Sequence, residues 1–109
     1  MEEITDQLNM YQLLTVFDSV FSPSLSEDSI DLKQYAEKLI NDAVTYVAKE
    51  DNEVAGFITF YASDEKLEHS FITLLAVLPK YQGRKTAQAL INQCVQTTIT
   101  MGKKEIKLE

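Results

Sequence analysis

Cysteine and histidine occur once each in this chain of 109 residues, proline twice, glycine three times and tryptophan not at all. A single cysteine, Cys94, cannot close an internal disulfide, and its place beside Leu90 and Ile91 on an apolar helical stripe reads as a packed thiol rather than a nucleophile. Nothing has metal-ligand spacing, so no metal is expected, and no Ser/His/Asp arrangement is discernible. Uninterrupted apolar runs fall far short of the roughly 20 residues that cross a bilayer, and no leader pattern opens the chain. The expectation is a soluble, cytoplasmic protein without a membrane partner. Neither G-x-x-x-x-G-K-[ST] nor G-x-G-x-x-G occurs, which argues against the common nucleotide-binding loops. Internal repeats and low-complexity segments are missing as well.

Carboxylates are also scarce in one place. The formal charge is −7, yet no Asp or Glu stands between His69 and Lys104. Residues 1–68 carry 15 acidic and 4 basic side chains, a net −11, whereas residues 69–109 carry 2 acidic and 6 basic ones, a net +4. The acidic part argues against a nucleic-acid partner and suits a cationic amine, while the basic part surrounds its own loop with positive potential.

With 45% hydrophobic residues the chain can fill the core of one small domain spanning 1–109. Met10, Leu13, Leu14, Phe17, Val20 and Phe21 form one helical stripe over residues 4–21, capped by Thr5 or Asp6 and stopped at Ser22-Pro23-Ser24. A second helix repeats Leu32, Tyr35, Ala36, Leu39, Ile40 and Ala43, with Asp28 or Asp31 as its cap. From Val44 the period changes to two. Strands over 44–49 and 54–62 flank the charged tetrapeptide Glu50-Asp51-Asn52-Glu53 as an antiparallel hairpin, with Gly56 marking a bulge or a close backbone approach. After a turn over Ser63–Leu67, the run from His69 to Leu78 reads as a strand buried on both faces. A helix over 84–101 ends at Gly102, and the alternation from Lys103 to Glu109 reads as a further strand, completing a right-handed βαβ unit.

Between that buried strand and the last helix lies the loop Gln82-Gly83-Arg84-Lys85-Thr86-Ala87. A helix that opens directly after a strand aims unpaired amides and the positive end of its dipole into such a loop, which suits a phosphate. The segment V-x-P-x-Y-Q-G-R-K-T-A-x-x-L, Val77 to Leu90, resembles the acetyl-CoA-binding motif of the GNAT superfamily of acyl-CoA N-acyltransferases. Gln82 fills the first place of that motif and Ala87 the last, while Lys85 stands where glycine is usual. Lysine there fits if the residue is already helical with its amide turned to the ligand.

The resemblance implies a GNAT-like α/β (α+β) fold: two N-terminal helices, antiparallel β-β-β, then β-α-β. The family's usual short strand ahead of the first helix is not expected here. The resemblance further implies acetyl-CoA as co-substrate and transfer of its acetyl group to a small-molecule amine or a protein amino group. Its pyrophosphate would lie on Gly83, Arg84, Lys85, Thr86, Ala87 and Gln88. The pantetheine arm would run along the backbone of Leu75, Ala76 and Val77. Glu68 and His69 are the titratable groups nearest in sequence for deprotonating the amine, directly or through water. The family continues with a helix and two strands that would lie beyond Glu109. The expectation is therefore a C-terminally incomplete domain whose uncovered last strand favours a homo-oligomer. A truncated, non-catalytic acetyl-CoA-binding or interaction module is the alternative.

Overall fold

The computed structural model describes residues 1–21, 24–28, 31–62 and 66–108. Its elements are β1 (Glu2–Ile4), α1 (Gln7–Phe17), α2 (Leu32–Asp42), β2 (Val44–Glu50), β3 (Glu53–Tyr61), β4 (His69–Val77), α3 (Thr86–Thr100) and β5 (Glu105–Leu108). The five strands form one sheet in sequence order, antiparallel except for the parallel β4–β5 pair. The layout expected from the sequence is the one observed, with one correction. The short first strand does exist: Glu2, Glu3 and Ile4 pair with Val47, Tyr46 and Thr45. With only three residues, two of them exposed glutamates, it carries no readable periodicity, and its two charges blunt the sheet edge it occupies.

Period-3.6 stripes account for the helices. Met10, Leu13, Leu14 and Phe17 of α1, with Ala36 and Leu39 of α2, are buried against Val47, Phe57, Leu74 and Ala76 of the sheet. The helical expectation over 4–21 was too long, because Asp6 caps the helix and a tighter 3₁₀ turn takes over at Asp18–Val20. Asp31, one of the two expected caps, caps α2 by accepting from the amides of Lys33 and Gln34. The expected stop at Ser22-Pro23 and the first three residues of the Ser63–Leu67 turn lie outside the described residues.

On the opposite face, α3 lays Leu90 and Cys94 onto Ile58, Phe60 and Ile72. Here Ser70 Oγ and Thr98 Oγ1 pair at 2.8 Å, so two buried hydroxyls satisfy one another. Burial pushes the Cys94 thiol above its ordinary pKa, in keeping with a packed thiol. The helix ends with Gly102 at φ +76°, its amide donating to Ile99 and that of Lys103 to Thr98, a Schellman closure.

The strands depart from regular pairing in three places, the first being a slip of β3 against β2 between Ala48↔Gly56 and Lys49↔Val54, which leaves Ala55 extra beside Gly56. The β2–β3 turn has Asp51 at φ +54° and Asn52 at φ +63°, the two-residue geometry that matches strand twist and makes a tight hairpin. In β4, the register against β3 slips between Thr59↔Leu74 and Phe60↔Ile72, so one residue is extra at the middle of the strand. That slip turns Leu74 and Ala76 toward α1 and α2, whereas Ile72 and Val77 pack on the α3 side.

Candidate functional site

Strand β5 pairs with β4 only from His69 to Ile72. Past that point, the β5 side of Leu75–Val77 has no strand partner among the described residues. A cleft of about 300 Å³ opens there. Leu75, Ala76 and Val77 line one side, Gln82, Gly83, Lys85, Thr86 and Ala87 the other, and Tyr81 contributes to the wall. Of the ten residues expected to meet a cofactor, Arg84 and Gln88 do not line this cleft.

What sets the loop apart is its unused donors. The helices α1 and α2 begin under aspartate caps, but α3 begins at Lys85 with no side-chain cap. Among the described residues, no backbone carbonyl accepts from the amides of Gly83 to Gln88, the first such bond being Ala89 N–H to the Lys85 carbonyl. A helix start leaves such amides orphaned unless a cap, water or ligand takes them. With Lys85 and Arg84 adding positive charge, the arrangement can hold an anion.

Lys85 corrects one expectation. It is not helical: at φ +62°, ψ +12° it occupies the left-handed region, as Gly83 does at φ +84°. Glycine is the usual residue there because a Cβ is penalised in that conformation, so this chain carries the turn with some backbone strain.

Gln82 has a role the sequence did not reveal. Its side-chain amide donates to the Val77 carbonyl at 3.1 Å and its backbone amide to Pro79. The loop is thereby stitched to the end of β4, and the Val77 carbonyl is already engaged.

Tyr81 is 4% exposed, and its hydroxyl donates to Glu53 Oε2 at 2.8 Å and, more weakly, to the Glu50 carbonyl at 3.4 Å. Lys80 Nζ reaches the same Glu53 oxygen at 2.6 Å. The Lys80 ammonium, then the Tyr81 hydroxyl, hold the Glu53 carboxyl below its ordinary pKa, and Glu53 in turn raises both Lys80 and Tyr81. The Arg84 guanidinium lies over the Tyr81 ring at 5.6 Å from its centroid. Glu53 and Lys80 are 27 positions apart, so no spacing rule points to them; only the folded hairpin brings them together.

Glu68 and His69 are not brought to the cleft. At a rise of about 3.3 Å per residue, His69 stands roughly 20 Å from Leu75 along β4, beyond one bridging water. Its ring packs edge-on against Phe71 with centroids 4.5 Å apart, and its Nε2 is buried without a hydrogen-bond partner among the described residues. Glu68 faces Lys104 at 3.9 Å, an exposed pair, while its carbonyl accepts from the Lys104 amide. Among the described residues no group of three or more His, Cys, Asp or Glu side chains could hold a metal ion, and no helix is long and apolar enough to cross a membrane.

The description "Acetyltransferase (GNAT) family" matches residues 8–109. Among solved structures, an aminoglycoside acetyltransferase from an uncultured soil metagenomic sample, in complex with sisomicin, superposes with a TM-score of 0.78 at 25% identity, covering 99% of this chain and 74% of that one. The ribosomal-protein-alanine N-acetyltransferase of Brucella melitensis biovar Abortus 2308 gives 0.77 at 20% identity, covering 99% of this chain and 78% of that one. An aminoglycoside N-acetyltransferase in complex with CoA gives 0.76 at 15% identity over 99% and 74% of the two chains. No curated protein matches the chain.

Proposed function

Because the chain belongs to the GNAT family of acetyltransferases, we propose that its cleft takes acetyl-CoA and that the acetyl group passes to an amine, on a small molecule or a protein. One observation carries the reading. The amides of Gly83 to Gln88 have no backbone acceptor among the described residues, and they begin an uncapped helix beside the open side of β4.

Acetyl-CoA, when bound, supplies an acyl group already activated as a thioester. The chain's own residues do the holding. Amides of Gly83 to Gln88 grip the diphosphate, with Arg84 and Lys85 adding charge at the rim. Backbone groups of Leu75 and Ala76 would hold the pantetheine arm, and an amide there would polarise the thioester carbonyl. Side chains at those two positions are free to serve the core, which is why an apolar strand can be functional. Among the described residues, the titratable side chains lining the cleft are Tyr81 and Lys85. Since Tyr81 is committed to Glu53, the attacking amine sheds its proton to solvent water. Aminoglycosides and a ribosomal-protein amino group are the acceptors named for structural neighbours. The acidic N-terminal part of this chain suits a cationic acceptor of the first kind.

Separate calorimetric titrations with CoA and ATP test the cofactor half of the proposal. CoA binding and no ATP binding is expected, and Arg84→Glu should weaken CoA by at least about 1 kcal/mol, the scale of a charge-assisted hydrogen bond. Equal affinity of wild type and variant for CoA would refute the loop assignment. Thiol release from acetyl-CoA in the presence of an aminoglycoside tests the transfer. Binding without release would favour the non-catalytic module.

A further inference from the structure

The phosphate loop has little of its own to hold it. Residues 82–85 are exposed, two of them in left-handed conformations, and no side chain caps the helix they enter. Yet a donor array is useful only when its amides are fixed before the ligand arrives, because ordering them afterwards costs affinity. The structure offers two fixings: Gln82 to the Val77 carbonyl on one side, and Tyr81 to the hairpin tip on the other.

We propose that Tyr81, Glu53 and Lys80 form a latch by which the tip of the β2–β3 hairpin sets the pose of the phosphate loop, making Tyr81 a positioning residue for CoA. The inference rests on the acetyl-CoA reading and adds a regulator of that site from a different part of the chain. Its geometry is specific. The Tyr81 ring is buried in the α3-side core with Ala55 and Leu90, so the residue cannot swing away. Its hydroxyl reaches the hairpin tip, where Glu53 Oε2 accepts it at 2.8 Å. A buried phenol needs such a partner, and a charged acceptor makes a stronger bond than a neutral one.

Glu53 is in turn held by the two-residue turn at Asp51-Asn52 and by the ladder pairing with Glu50 across it. The same carboxylate holds Lys80 at 2.6 Å, on the residue just before Tyr81. Two consecutive residues of the loop's approach therefore end on one carboxylate. Lys80 is drawn toward the hairpin, whereas Arg84, over the same ring, is given no carboxylate partner by these contacts. The latch thus sorts the cations: one serves the protein and the other faces outward at the loop.

The test uses Tyr81→Phe, which keeps the ring and removes the donor, and Glu53→Ala, a change at a half-exposed position that removes the acceptor. Backbone ¹⁵N relaxation of Gly83, Arg84 and Thr86 reads the loop without ligand, and calorimetry with CoA reads the site. Both variants should lower the order parameters of those three amides and raise the Kd for CoA about fivefold, a part of what one hydrogen bond to a charged acceptor is worth, because CoA feels the loss only through the order of the loop. The double variant should be no worse than the worse single one, since both cut the same link. Unchanged order parameters in Tyr81→Phe and Glu53→Ala, or effects on Kd that multiply, would overturn the latch. If the order parameters fall but neither wild type nor variant binds CoA, the latch stands and the acetyl-CoA reading fails. Should Tyr81→Phe not fold, Glu53→Ala decides by the same readouts.

Discussion

Replacing Gly56 by alanine probes the cleft from behind. Gly56 sits on β3 directly opposite Val77, and a Cβ added to it would lie 2.7 Å from the Ala76 carbonyl oxygen, 3.1 Å from Val77 Cγ2 and 3.2 Å from Leu90 Cδ1. The first contact is to backbone, which cannot rotate out of the way as a side chain can. Relief therefore requires β3 and the end of β4 to separate, or α3 to lift at Leu90. Overpacking of this kind costs about 1–3 kcal/mol. The alanine also restricts the unfolded chain, which returns about 0.4–1 kcal/mol. A net loss of about 1–2 kcal/mol remains, and in a domain of this size that lowers the melting temperature by about 5–10 °C. The functional effect depends on which atoms move. Ala76 and Val77 form one wall of the cleft, and the Val77 carbonyl anchors the loop through Gln82. Displacing them should raise the Kd for CoA about tenfold, or about 1.4 kcal/mol. Thermal melts and calorimetry on the same preparations check both numbers. A variant that melts at or above wild type, with CoA affinity intact, would refute the reasoning that β3 packs this tightly behind the site.

Lys85→Gly should melt no lower than wild type and up to about 1 kcal/mol more stably, because relief of the left-handed strain outweighs the added chain entropy; Lys85→Val should be the less stable variant. A lower melting point for the glycine variant would contradict the assigned φ. Thr98→Val should cost about 1–3 kcal/mol in a denaturant titration by stranding the buried Ser70 hydroxyl, and adding Ser70→Ala should recover most of that loss. Glu53, held below its ordinary pKa of 4.5, stabilises the fold above that pH, and the contribution disappears as acid passes its lower folded value. The stability advantage of wild type over Glu53→Gln should therefore shrink below about pH 4.5, hold level from there to about pH 9, and shrink again in alkali as Tyr81 and Lys80, both raised by Glu53, lose their protons, as followed by chemical denaturation across pH.

The hydrophobic stripes of α1, α2 and α3 and the switch to period two at Val44 are local signals, and each predicted the element that formed. The strand β1 carried no such signal, since its three residues owe their conformation to pairing with β2 rather than to their own pattern. The candidate catalytic pair was chosen by nearness in sequence to β4, and a strand rising about 3.3 Å per residue turns a short sequence distance into a long spatial one. In the loop, the identity of the residues was informative and their conformation was not. Lys85 reads as a good helix residue, yet the turn from β4 into α3 forces it left-handed, because tertiary closure outweighs a propensity of a few tenths of a kcal/mol.

The order of side chains alone establishes which segments bury one face, where the helices could begin, and that a glycine-bearing, basic loop stands between a buried strand and a helix. These are short-range properties, decided by side chains a few positions apart. It took the packed chain to show that the loop's amides have no backbone acceptor among the described residues, that Leu75–Val77 line a cleft with the loop, and that Glu53 ties down Tyr81 and Lys80. Those depend on where distant segments come to rest, and that is set by the packing of the whole chain against its sheet rather than by any local pattern.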